Sequence, residues 1–275
     1  MRALILAAGL GTRLRPITEQ MPKPLLPVLG APNIVRIIEH LKRHGVRRIA
    51  VNLHHLPEAI PRALGDGAEL GVTLAYSREQ PEILGTGGGI RRALPLLGDD
   101  TIAVVNGDVL FAPDLTGALA AHRERGALAT LVVRPDPDAE RLGAVGLDDD
   151  GRVRRLVHVG RRENGPRTFM FTGVHLIEPE LGARLPERGC VVRATYCPLV
   201  REGAPLAGHV DLGPFLDLGT PGRYVDASAR LATGELRVDG VEPPAAGAYV
   251  HPGAAIEPGG RVGPGAVICD GARVG

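Results

Sequence analysis

Apolar positions in the first 133 residues fall into short unbroken runs separated by stretches with helical spacing. Leu4, Ile5 and Leu6 predict a buried strand that runs into Ala7-Ala8-Gly9-Leu10-Gly11-Thr12-Arg13. Ile34, Ile37, Ile38 and Leu41 stand at i, i+3, i+4 and i+7, the apolar face of a helix over 33–45 that Gly45 can close. Runs at 49–53 and 101–105 predict two further buried strands, the second ending in Asn106-Gly107-Asp108. Residues 72–76 and 129–133 read as strands, and 58–64, 87–97 and 115–125 as helices, the first weakened by Pro61. Such alternation predicts a mostly parallel sheet with helices on both faces. Ligands of such sheets sit beyond the carboxyl ends of the strands. The 7–13 loop and Asp108 both stand at such ends and are expected to meet at one site.

The pattern changes after residue 143. Segments 143–147 and 153–159 flank Asp148-Asp149-Asp150-Gly151, a hairpin signal, and 168–176 reads as another strand. The stretch 143–218 is therefore expected to be strand-rich and to wall one side of a pocket. Residues 221–233 read as a last helix, and 235–248, with Pro243-Pro244, as a linker. Beyond it, Val250, Ile256, Val262, Ile268 and Val274 recur every six residues, and Gly253, Gly259, Gly265 and Gly271 do the same. Pro252, Pro258 and Pro264 share that register. This predicts the start of a left-handed hexapeptide β-helix over 249–275. So few repeats bury little core alone, which implies a longer parent chain or a tail that packs on a neighbour, as in a homo-oligomer. The expected class is α/β: a Rossmann-like, doubly wound mixed sheet over 1–234, then the linker and the β-helix tail.

Composition narrows the function classes. The 275 residues are 44% hydrophobic, enough for a sizeable core. A formal net charge of +1 argues against nucleic-acid or membrane-surface partners, which select for a basic excess. The absence of Trp argues against base-stacking platforms. Cys190, Cys197 and Cys269 form no C-x-x-C pair, so no disulfide framework or zinc signature is expected, and a cytoplasmic setting fits. The apolar start is too short for a signal h-region or a membrane span.

The loop after the first strand suits a phosphate chain, because small residues let backbone N–H groups come close. Arg13 and Lys23 add positive charge, and Pro22 and Pro24 restrict the backbone around Lys23. The loop lacks the third glycine of a dinucleotide fingerprint and the G-K-[ST] of a Walker loop. Asp108 follows an apolar strand, and Asp217 stands in Phe215-Leu216-Asp217-Leu218-Gly219-Thr220. Taken singly, either aspartate also reads as an N-cap or turn residue. His54-His55 has no third metal ligand at useful spacing and reads as loop surface. Asp148, Asp149 and Asp150 read as a solvated turn, and Arg161-Arg162 as a solvated loop.

In order along the chain, LAAGLGTRLRPIT, PKPLLPVLGAP, LGTGGGI, VNGDV and DLGT resemble the signature of the sugar-1-phosphate nucleotidyltransferases, the nucleotide-sugar pyrophosphorylases. The resemblance covers 1–234, and hexapeptide tails also occur in that superfamily. It implies Mg²⁺-dependent transfer of a nucleoside monophosphate from an NTP to a sugar 1-phosphate, with pyrophosphate leaving. It implies Arg13 on the β- and γ-phosphates and Lys23 on the α-phosphate and the sugar phosphate. Leu6, Ala7, Ala8, Gly9, Gly11 and Thr12 would line base and phosphates with Arg13; Glu79, Gly85, Thr86 and Gly87 would contact the base. Asp108 and Asp217 would be the magnesium ligands, and Asn106, Gly143 and Thr172 would face the sugar.

The sequence departs from the family pattern in three places. HVGRRENGP at 158–166 replaces the usual Glu-Lys-Pro motif, Phe171 stands where an Asn is expected two residues before Gly173, and the run Gly87-Gly88-Gly89 often holds an alanine in relatives. LGTGGGIRRALPLLGD and VNGDVLF look most like the muramic acid-1-phosphate uridylyltransferases, with the mannose-1-phosphate guanylyltransferases second. UTP or GTP, and a hexose- or amino-sugar-1-phosphate, stay open. A phosphocholine cytidylyltransferase-like enzyme and a non-catalytic regulatory subunit share the fold; intact Arg13, Lys23, Asp108 and Asp217 argue against the second. A hexapeptide-repeat acyltransferase would need more coils and a histidine within them, and only His251 lies there, at the edge.

Overall fold

The computed structural model describes residues 1–160 and 167–275. Arg161, Arg162 and the end of the 158–166 segment lie outside the described residues. The chain divides into two compact units: Met1–Gly9, Leu41–Asn106 and Pro113–Leu212 make the first, and Leu10–His40, Gly107–Ala112 and Gly213–Gly275 the second.

The first unit is built on a ten-stranded mixed sheet. Thr73–Arg78, Arg48–Leu53, Arg2–Leu6 and Ile102–Asn106 lie side by side in that order, all parallel. In chain order this is 3-2-1-4, so the direction of winding reverses at Arg2–Leu6. A ligand crevice is expected at the carboxyl ends of strands flanking such a reversal. Ala3, Leu4 and Ile5 are fully buried, which is why this strand reads as an unbroken apolar run rather than an alternating one.

The parallel order ends at Ile102–Asn106. The antiparallel strand Arg167–Ile177 pairs with it through His175, Leu176 and Ile177, and Ala129–Arg134 joins the far side of that strand. Leu206–Val210 then pairs in parallel with Ala129–Arg134, while Ala144–Leu147, Val153–Leu156 and Val159–Gly160 extend the sheet antiparallel. The predicted strand at 153–159 is two strands: Leu156 pairs with Val159 around a turn at Val157 and His158. The predicted turn at 148–151 is present, with the Gly151 N–H donating to the Asp148 carbonyl at 3.0 Å.

The strand-rich expectation for 143–218 fails over 179–202. There Pro179–Arg184, Val192–Tyr196 and Cys197–Glu202 form helical turns. Segments of five or six residues are too short to show a helical period, yet they bury Leu181, Tyr196 and Leu199 in the main core with Leu4, Ile90, Leu97, Val104 and Leu131. His175 is buried beside Phe171 and Tyr196. Its surroundings hold it at about 4, below the ordinary histidine value, because burial disfavours the charged ring.

The second unit has its own core of Val28, Leu29, Leu110, Leu216, Leu218, Ala227, Leu231, Val238 and Val241. The helix Pro221–Ala232 is capped by Thr220, whose hydroxyl accepts the Arg223 N–H. The stretch read as a linker is packed: Val238 and Val241 are 4% and 5% exposed and bridge to each other. In the tail, Tyr249–Val250 pairs in parallel with Val267–Ile268, and Ala255–Ile256 with Arg273–Val274. Each pair is offset by 18 residues (267 − 249 and 273 − 255), or three hexads. Tyr249 and Val267 pack against the core of this unit. No helix of the described residues is long and apolar enough to cross a membrane.

Candidate active site

In the first unit the chain leaves Arg2–Leu6 and is fixed at once: the Ala7 N–H donates to Asn52 Oδ1 at 2.6 Å. Asn52 lies on the neighbouring strand and is buried. Its Nδ2 donates to Glu79 Oε1 at 2.7 Å, and Glu79 Oε2 accepts the Leu84 N–H at 2.7 Å. Glu79 is fully buried, so both of its oxygens are committed inside the protein. His54 Nδ1 meets the Glu79 carbonyl at 2.8 Å, which places that histidine against the second loop.

A strap at 186–191 crosses the start of the helix Gly85–Leu97. Gly189 N–H donates to the Leu84 carbonyl at 2.8 Å, Gly87 N–H to the Gly189 carbonyl at 2.8 Å, and Val191 N–H to Thr86 Oγ1 at 2.9 Å. A Cβ at Gly87 would meet Pro186 at 2.7 Å, and one at Gly88 would overlap the Glu187 carbonyl oxygen. A Cβ at Gly89 would meet Glu79 Oε1 at 2.6 Å and Asn52 Nδ2 at 2.7 Å. Gly87, Gly88 and Gly89 are buried, while Gly85 and Thr86 just before them are exposed. The triple glycine therefore makes room for the strap above and the Asn52–Glu79 pair below. Gly9 differs from these: it is exposed, and a Cβ there would meet nothing within 4 Å.

The residues assigned to the sugar also lie in this unit. Asn106 ends its strand against Gly173, where a side chain would strike its Nδ2. Thr172 is buried, with Oγ1 donating to the Val132 carbonyl at 2.7 Å and accepting the Val174 N–H at 3.2 Å. Gly143 adopts φ +108, open to glycine and strained for other residues, with no neighbour near its Cβ position. The helical turn Ala139–Gly143 that carries it is tied by Glu140 to the buried Arg155, whose Nη1 donates to Oε2 at 3.0 Å.

In the second unit, Lys23 Nζ lies 2.5 Å from Asp108 Oδ2, with the lysine buried and the aspartate 40% exposed. The two prolines flanking Lys23 hold it in a 3₁₀ turn, Lys23–Leu25. Asn33, fully buried, donates to the carbonyls of Gly107 at 3.1 Å and Val109 at 3.3 Å and so brackets Asp108. Val109–Phe111 and Phe215–Asp217 form an antiparallel ladder in which Val109 pairs with Asp217. The Leu218 N–H also reaches the Asp108 carbonyl at 3.3 Å. The two aspartates thus share one end of one ladder.

Asp217 Oδ1 accepts the Gly219 N–H at 2.8 Å, and its Oδ2 pairs with Arg223. Arg13 is exposed, and a Cβ at Gly219 would stand 2.9 Å from its guanidinium. Gly11 sits at φ +63 below Thr18, which is buried and donates to its carbonyl at 2.8 Å. Thr12 begins the 3₁₀ turn Thr12–Leu14 that carries Arg13. Each acidic group of this site faces a cation, and the exposed cations point to anionic ligands. Among the described residues no cluster of three or more His, Cys, Asp or Glu is arranged for a metal ion. Two carboxylates still suit Mg²⁺, which keeps water and phosphate oxygens as its other ligands.

Asn52, Asn33, Thr18, Arg223 and the strap escaped the sequence reading. A lone Asn in the apolar run Ile49-Ala50-Val51-Asn52-Leu53 was the one available signal for the first. Arg223 was visible only as a charge in the first turn of a helix following Asp217.

The family model described as Nucleotidyl transferase matches residues 2–233. A mannose-1-phosphate guanylyltransferase of Mycobacterium tuberculosis is 33% identical, covering 99% of this chain and 76% of its own length. An N-acetylmuramate alpha-1-phosphate uridylyltransferase of Neisseria meningitidis serogroup B is 39% identical, covering 83% of this chain and 97% of its own length. The crystal structure of HddC from Yersinia pseudotuberculosis complexed with GMP-PN superposes with TM-score 0.68 at 25% identity, over 83% of this chain and 98% of that one. With the sheet order, the ladder-end aspartates and a match across nearly the whole of 1–233, the chain belongs to the nucleotidyl transferase family.

Proposed function

We propose that this protein transfers a nucleoside monophosphate from an NTP to a sugar 1-phosphate, giving an NDP-sugar and pyrophosphate. The observation that carries the reading is the Lys23–Asp108 pair at 2.5 Å, on the ladder end that also bears Asp217. The attacking sugar-phosphate oxygen is already ionised at neutral pH, so no general base is needed. Catalysis then rests on positioning and on neutralising phosphate charge. Arg13 offers an exposed fork to the β- and γ-phosphates and to the departing pyrophosphate. Lys23, held by Asp108 and its prolines, neutralises the α-phosphate and orients the incoming sugar phosphate. Asp108 and Asp217 would hold Mg²⁺, which supplies further charge neutralisation when bound.

In the first unit, Gly9 leaves open space for the nucleotide, and Leu6, Ala8, Gly85 and Thr86 are assigned to it through the motif resemblance. Ala7, Glu79 and Gly87 shape the loops through bonds to protein partners. Asn106 and Gly143 are assigned to the sugar side, while the hydroxyl of Thr172 serves the sheet. Mannose-1-phosphate with GTP, glucose-1-phosphate with UTP and N-acetylmuramate 1-phosphate with UTP are pairings that the relatives favour.

Residues 1–234 form the transferase portion in this reading, and 249–275 the start of a left-handed β-helix, supported by the 18-residue register. Exposed Val250 and Ile256 on that tail favour a contact between copies. The unpaired cysteines favour the cytoplasm. The test is a matrix of four NTPs against several sugar 1-phosphates, with Mg²⁺ and a pyrophosphate readout. Release with one nucleotide–sugar pair is expected, and no release with any pair would overturn the reading.

A further inference from the structure

We propose that Asn52 and Glu79 are a positioning pair for the nucleotide, fixing both glycine loops through one buried hydrogen-bond chain. This rests on the transfer reading above. The chain runs from the Ala7 N–H to Asn52 Oδ1, from Asn52 Nδ2 to Glu79 Oε1, and from Glu79 Oε2 to the Leu84 N–H. Its ends lie in the first and the second glycine loop. Neither side chain reaches solvent: Asn52 is 3% exposed and Glu79 0%.

The polarity of the chain is fixed from its ends. A backbone N–H can only donate, so the Ala7 N–H requires the oxygen of Asn52, and the amide nitrogen must face Glu79. The Leu84 N–H also donates. Glu79 therefore receives two donors, and only a carboxylate accepts at both oxygens. A glutamine there would turn an NH₂ against a donor, whichever way its amide lies. Gly89 is part of the device, since a Cβ would enter the contact between the two side chains. Two of its three bonds span 45 and 27 residues, so the chain of bonds is more than a local turn. Its effect is to set where Ala8 and Gly9 leave the first strand and where Gly85 and Thr86 begin the helix. Glu79 thus acts on the nucleotide through the two loops rather than by touching the base.

The same logic predicts its own repair. Asn52→Asp alone sets two carboxylates face to face, and Glu79→Gln alone sets two donors face to face. Together they restore a full match: the carboxylate introduced by Asn52→Asp would accept from Ala7 and from the amide introduced by Glu79→Gln, whose oxygen accepts from Leu84. The assay measures KM for the NTP, KM for the sugar phosphate, kcat and melting temperature for both single variants and the double. Each single variant is expected to raise KM for the NTP roughly tenfold, the scale of one unsatisfied buried group, with KM for the sugar phosphate unchanged. The double variant is expected to return to within about twofold of the unsubstituted protein. Should a single variant fail to fold, the double still decides, because it keeps every hydrogen bond. Unchanged KM for the NTP in the single variants, or a double variant as impaired as the sum of the two, overturns the pair and leaves the transfer reading standing. No turnover in the unsubstituted protein overturns the transfer reading, and the pair with it.

Discussion

Gly88→Ala separates packing from ligand approach as the reason for the triple glycine. The added Cβ would overlap the Glu187 carbonyl oxygen, which is backbone and cannot swing aside. Relief requires the strap to lift, and the strap is stitched to the helix start by the bonds Gly189–Leu84, Gly87–Gly189 and Val191–Thr86. Three such bonds contribute about 1 kcal/mol each, and alanine returns about 0.5–1 kcal/mol through its better helix propensity. The net destabilisation is therefore about 2 kcal/mol, inside the usual range for overpacking. The control is Gly9→Ala, where a Cβ meets nothing within 4 Å and the backbone is not in the left-handed region. Its stability is expected to change by less than about 0.5 kcal/mol, while KM for the NTP rises. Urea unfolding gives both stabilities, and turnover gives the KM. A Gly88→Ala protein as stable as the parent would refute the strap argument, because helix propensity alone predicts a gain.

Three other substitutions probe separate parts of the molecule. Asp108→Asn keeps an acceptor for Lys23 and should preserve the fold, while pyrophosphate release assayed with Mg²⁺ is expected to fall by roughly a hundredfold; retained turnover would overturn the proposed role of Asp108 as a metal ligand. His175 is held neutral by burial at about 4, against 6.5 in an unstructured chain. Below pH 6.5 the unfolded chain takes up a proton that the folded chain refuses until about pH 4, so stability present above 6.5 is lost as pH falls through that window, by on the order of 3 kcal/mol. His175→Phe should flatten the urea midpoint between pH 4.5 and 7 (about the span of the titration), and an unchanged slope would show that another group is responsible. Ending the chain at residue 234 strips Val238 and Val241 from the second core and should cost at least about 3 kcal/mol; an unaltered melting temperature would mean that this stretch is a true linker.

The parts of the fold that were legible in sequence are those where one local rule dominates. Ala3, Leu4 and Ile5 are buried on both faces, so the strand betrays itself as an apolar run, and Ile34, Ile37, Ile38 and Leu41 are all buried along one face of Asn33–Arg43. What was not legible depends on partners distant in the chain. Nothing in 129–133 tells that Arg167–Ile177 will intervene before the strand 102–106, because that order is settled by pairing across many residues. Val238 and Val241 are two apolar residues in a stretch that ends in prolines and glycines, and only their neighbours in the second core reveal burial.

The site divides in the same way. Arg13, Lys23, Asp108 and Asp217 stand out because charges flanked by glycine, proline or an apolar strand need a reason. The glycines themselves do not disclose theirs. Gly11 is required by φ +63 and by Thr18, and Gly88 by a strap about a hundred residues away in sequence. Gly9 has neither constraint. Gly222 and Gly263 share that freedom, so open space alone is no signature; what sets Gly9 apart is its place at the end of the strand where the winding of the sheet reverses. That place makes Gly9, rather than the longer glycine run at 87–89, the position at which the proposed nucleotide site is best tested, by Gly9→Ala.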